Sequence, residues 1–79
     1  MDQQPNNPLH GVKLKTIVEE LVRRLGWAQL GRRIPIPAFV NDPTVTSSLK
    51  FLRRHPNERA VVEQLYLDEL AAEAENAGR

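Results

Sequence analysis

Leu14, Ile17, Val18, Leu21, Val22 and Leu25 recur at i, i+3, i+4, i+7, i+8 and i+11, the spacing that lines apolar side chains along one stripe of an α-helix. The pattern predicts a helix over 13–25. Glu19–Arg23 and Glu20–Arg24 lie at i, i+4 in the favourable order, partly neutralising both arginines. Gly26 stands where a left-handed residue would stop the helix. Trp27 to Leu30 has the length of one further turn, closed by Gly31, with Trp27 and Leu30 as core anchors. Prolines alternate in Ile34-Pro35-Ile36-Pro37, which favours an extended connector whose two isoleucines point inward. Phe39 and Val40 are then expected to close the core.

A second amphipathic pattern runs through Asp42-Pro43-Thr44-Val45-Thr46-Ser47-Ser48-Leu49-Lys50-Phe51-Leu52-Arg53-Arg54. Asp42 is a candidate N-cap with Pro43 at the first helical position, and Pro56 disfavours the α region at His55, so the predicted helix covers 43–54. Val45, Leu49 and Leu52, with Ser48, fall on one side, and Ser47, Lys50 and Arg54 stack on the other, with Thr46 and Arg53 beside them. After a His55-Pro56-Asn57 turn, helix resumes near Glu58. Val61, Val62, Leu65, Tyr66 and Leu70 form a broad apolar face, and Leu67 on the far side points to contacts with a further element. From Ala71 onward no large side chain remains to bury, so the end at 71–79 is expected to fray. Residues 1–8 are polar and proline-bearing, a flexible leader. The reading is an all-α, compact four-helix single domain over 9–70: three main helices, one short helical turn and a Pro-bounded connector.

Length and charge sharpen this picture. A chain of 79 residues buries only about 60% of its unfolded surface, and without cysteine it has no disulfide or thiolate-metal staple. No apolar run approaches the roughly 20 residues of a membrane span, and the polar N-terminus is unlike a signal peptide, which suits a cytoplasmic protein. The net charge of +1 conceals a split. Ten of the eleven Lys and Arg lie between residues 10 and 59 against four acids, a local +6, whereas residues 60–79 carry −4. A basic segment of this kind suits an anionic partner.

The pattern offers little to an enzyme. Ser47 and Ser48 lie within a helix and not on a nucleophile elbow. The four glycines form no phosphate-cradling loop. His10 and His55 are far apart in turns with no further ligand at metal spacing. The expectation is therefore a non-enzymatic protein with no catalytic residues, no metal, no cofactor and no small-molecule substrate. The candidate nucleic-acid contacts are Lys50, Arg53, Arg54 and Ser47 on the basic helix, Arg32 and Arg33 before the connector, and Arg59 beyond the turn. Hydroxyls and cations on one helix suit phosphate oxygens. No Asn or Gln sits among the cations to read adenine, and exposed aromatics for stacking on single strands are scarce. Duplex DNA held by its backbone is the partner expected. The alternative is an adaptor whose basic helix face docks an acidic protein, and a monomer is the default.

Several segments also resemble a known family. Asn7-Pro8-Leu9-His10-Gly11, Gly26-Trp27, Leu30-Gly31, Arg33-Ile34, Phe39, Asp42-Pro43, Ser47-Ser48-Leu49-Lys50-Phe51-Leu52-Arg53, Pro56, Arg59, Val62-Glu63 and Leu65-Tyr66-Leu67 are similar to the small bacterial VF530-type DNA-binding family. The resemblance implies a four-helix domain similar to the double-stranded-DNA-binding C-terminal module of a bacterial recombinase, binding DNA without a cofactor, with Lys50 and Arg53 in matching motif positions. Two positions depart from that pattern. Asn57-Glu58-Arg59 follows Pro56 where the family has Trp-Ala-Arg, and Lys13 stands where a capping Thr is expected.

Overall fold

The computed structural model describes residues 11–77. Helices α1 (Leu14–Arg33), α2 (Pro37–Val40), α3 (Val45–Arg54) and α4 (Pro56–Ala77) follow one another without a strand among the described residues. Helix α1 and helix α3 each touch every other helix, while α2 and α4 do not meet. The core lies between α1, α3 and α4 and is closed at one end by α2. It contains Ile17, Val18 and Leu21 of the first periodic stripe, Leu49 and Leu52 of the second, and Val62 and Tyr66 of the third. The all-α, four-helix expectation therefore holds, and the centre of each predicted stripe is buried where its period placed it.

The boundaries differ in four places, each for a local reason. Helix α1 does not end at Gly31. It is broken at Gly26, with φ 79° and ψ 160°, an extended positive-φ conformation and not the left-handed helical one expected. The chain then re-enters helix and continues to Arg33. Gly31 lies inside that second segment, buried, where a Cβ would sit 3.0 Å from Val40 Cγ1 and 3.2 Å from the Phe39 carbonyl oxygen. Its missing side chain serves close approach of α2, not helix termination. Trp27 is half-buried and its ring meets that of Phe39 at 5.9 Å and 49°, within the range favoured for aromatic pairs.

The connector is only partly extended. Ile34 and Ile36 are buried as expected, but Pro37 opens the one-turn helix α2, the first helical position being the one a proline tolerates. Phe39 points inward whereas Val40 is 53% exposed. Helix α3 starts at Val45, with Thr44 and not Asp42 as its N-cap. Thr44 Oγ1 accepts from the Ser47 amide at 3.0 Å and Ser47 Oγ accepts from the Thr44 amide at 3.4 Å, a reciprocal capping box. A cap at Asp42 would have put Val45 at the reciprocating position, with nothing to return. Asp42 instead adopts φ 43° in the turn before Pro43.

Finally, Pro56 and Asn57 are already helical, so the turn predicted there reduces to His55 alone, at φ −128° and ψ 82°. Val61, expected on the apolar face of α4, is 52% exposed. Lys13, where a capping Thr was expected, makes no side-chain cap hydrogen bond to α1. The leader at 1–8 and His10 fall outside the described residues.

Gly26→Ala tests the break in α1. A methyl group would meet nothing within 4 Å, so any cost must come from the backbone. Positive φ with ψ near 160° is a region essentially reserved for glycine, costing other residues about 1–3 kcal/mol. A denaturant melt is expected to lose that amount; unchanged stability would mean that the chain passes residue 26 in some other conformation.

Candidate nucleic-acid interface

Helix α3 divides by side. Ser48, Leu49 and Leu52 are buried, and the Ser48 hydroxyl donates to the Ala38 carbonyl at 3.4 Å, tying α3 to α2. Thr46, Ser47, Lys50, Arg53 and Arg54 are exposed. Arg53 and Arg54 occupy the last turn, where cations oppose the negative end of the helix dipole. Lys50, Phe51, Arg53, Arg54 and His55 together line an open groove of about 430 Å³.

Ion pairs engage several of the cations outside this groove. Arg23 binds Glu20 at 2.7 Å, and Arg24 binds Glu73 of α4 at 2.7 Å and Glu20 at 3.5 Å. The pair expected between Glu19 and Arg23 is not formed; Glu19 lies 4.0 Å from Lys15. The hydrogen bond donated by Arg23 holds the Glu20 carboxyl below its ordinary range, and the one Arg24 donates to Glu73 raises the Arg24 guanidinium further. Arg33 reaches Glu69 at 3.4 Å and Arg59 reaches Glu63 at 3.9 Å. Among the described residues no carboxylate lies within 4.0 Å of Arg32, Lys50, Arg53 or Arg54.

The seven candidate residues thus fall into three groups. Lys50, Arg53 and Arg54 share the α3 groove. Arg32 lines a different recess of about 350 Å³ with Trp27, Phe39, Val40 and Pro43. Arg33 and Arg59 face acids of α4, and Ser47 is engaged with Thr44 through both its hydrogen and its oxygen. Arg32 and the cations of α3 therefore line separate recesses.

Sequence reasoning missed one feature of this face. The rings of Phe51 and His55 stack at 3.9 Å and 11°, with His55 Nδ1 2.8 Å from the Phe51 carbonyl oxygen. Their i, i+4 spacing was the available signal, obscured because His55 read as a turn residue. No three His, Asp or Glu side chains among the described residues are grouped to hold a metal ion. No helix among them is long and apolar enough to cross a membrane.

No curated protein matches the sequence. Residues 5–67 match the family described as DNA-binding protein VF530, a span that contains the kinked α1, α2, the whole of α3 and the packed first half of α4. On that match, which covers most of the chain, this protein belongs to the DNA-binding protein VF530 family.

Proposed function

We propose that the chain binds double-stranded DNA through the phosphate backbone, with the outward side of α3 as the contact surface, weak preference for sequence, and neither catalysis nor a cofactor. The observation that carries this reading is the distribution of ion pairs. Acids answer Arg23, Arg24, Arg33 and Arg59, while Lys50, Arg53 and Arg54 converge on one groove with no carboxylate within 4.0 Å among the described residues. Phosphate contact to a paired arginine must first displace its carboxylate; contact to these three does not. Arg32 is the secondary contact, and Ser47, Arg33 and Arg59 contribute less because their polar atoms already have partners.

Backbone contact has a thermodynamic signature. Neutralising about three to four phosphates gives a slope of log affinity against log salt of roughly −3 to −4, at about −0.9 per phosphate. Arg53 against guanine O6 and N7 is the one contact of the set suited to base preference, worth about 1–3 kcal/mol. Titration of a GC-rich and an AT-rich duplex of equal length at several salt concentrations checks both. A slope near zero, or more than about a hundredfold discrimination between the duplexes, rules out a backbone binder.

A further inference from the structure

Phe51 is half-buried against the core, and the imidazole of His55 lies on it nearly parallel, centroids 3.9 Å apart. A carbonyl oxygen only accepts, so the 2.8 Å contact with Phe51 O requires a hydrogen on His55 Nδ1. The ring is therefore held twice, by the stack and by the hydrogen bond. One of its faces is covered by Phe51 and its Nδ1 edge turns to the backbone. His55 is nevertheless exposed, which leaves the opposite face and the Nε2 edge as its accessible surface. His55 and Phe51 line one groove with Lys50, Arg53 and Arg54.

We infer that this groove takes one unpaired nucleobase, stacked on the open face of His55, while the neighbouring cations hold the phosphates of the strand that carries it. The preferred ligand is then DNA in which a duplex meets an unpaired base, as at an overhang or bulge. Every base has a π face, so stacking is tolerant of sequence. A ring fixed before the ligand arrives loses little freedom on binding. The inference rests on α3 being the DNA-contacting face.

The test compares a blunt duplex with the same duplex carrying a short 3′ overhang, with 2-aminopurine as the unpaired base. The wild type is expected to favour the overhang by about five- to tenfold, at the low end of what stacking on a ring gives per base, and to quench 2-aminopurine on binding. His55→Ala is expected to bring the two affinities together and abolish the quench. His55→Phe and His55→Leu both lose the Nδ1 hydrogen bond, but only phenylalanine offers a flat π face. The overhang preference is expected in the first and not in the second, so a folding defect common to both cannot imitate the result. Equal affinity of the wild type for the two DNAs, or an undiminished preference in His55→Leu, overturns the inference. Salt-dependent binding to both DNAs without preference would overturn it alone, whereas no salt-dependent binding to either would overturn the backbone reading with it.

Discussion

Lys50→Glu combined with Arg54→Glu is expected to lower affinity for duplex DNA by two to three orders of magnitude near physiological salt. Two lost phosphate contacts remove about 1.8 from the salt slope, which at about 0.15 M salt amounts to roughly thirtyfold. Reversing the charges adds repulsion of the same origin and doubles the effect on a logarithmic scale. Both side chains are exposed and neither has a carboxylate partner among the described residues, so no internal ion pair is broken. The cost to the fold is confined to Arg54, which sits in the last turn of α3. An acid there opposes the helix dipole by about 0.3–1 kcal/mol, a shift of a few degrees in melting. Fluorescence anisotropy on a labelled duplex, read beside a thermal melt, checks the two quantities together. Equal binding by the wild type and the double variant would remove α3 from the interface and turn attention to Arg32, which has no acid within 4.0 Å among the described residues.

Leu52→Ala, on the other side of the same helix, is expected to do the reverse. Leu52 is fully buried in a core that α1, α3 and α4 share, and it cannot be replaced from solvent. Truncation of a leucine at such a site costs about 2–5 kcal/mol, with the upper half expected where the walls are fixed by three helices. For a domain of this size each kcal/mol is worth about 4–8 °C in melting temperature, so a fall of at least about 10 °C is expected. That is a large part of a total stability of about 0.05–0.15 kcal/mol per residue, as is usual for native domains. Affinity for DNA, measured where the variant is still folded, should be near that of the wild type because the cations are untouched. Near-wild-type melting would show that α3 is rotated about its axis, and the two sides of the helix would have to be exchanged.

These two variants bear on how the chain can be read, because they probe residues two apart on one helix. Hydrophobic periodicity decides burial over a long segment: Ile17, Val18 and Leu21 in α1 and Ser48, Leu49 and Leu52 in α3 lie where their spacing puts them. The same logic fails at the margins. Val40 and Val61 are apolar, yet each is about half exposed, and how far an element covers a residue is a property of the packed chain and not of its period. Glycine was equally ambiguous. Gly26 and Gly31 both looked like helix stops, but one supplies a positive φ and the other room for Phe39 and Val40. Only the approach of α2 distinguishes them.

By itself, then, the sequence determined the all-α class, the amphipathic stripes, the basic character of α3 and the asymmetry of charge between residues 10–59 and 60–79. Those follow from side-chain chemistry and a 3.6-residue repeat, which are local. The tertiary structure decided which cations have a carboxylate from another helix beside them. Arg33 is an unremarkable surface arginine until α4 brings Glu69 within 3.4 Å, 36 residues along the chain, and Arg24, paired locally with Glu20, gains Glu73 only from α4. It also decided that Thr44, in register with Ser47, caps α3 in preference to Asp42. The stack of His55 on Phe51 lies between these cases. Its spacing is local, but its place in the groove of Lys50, Arg53 and Arg54 depends on α3 ending at His55 as α4 begins at Pro56.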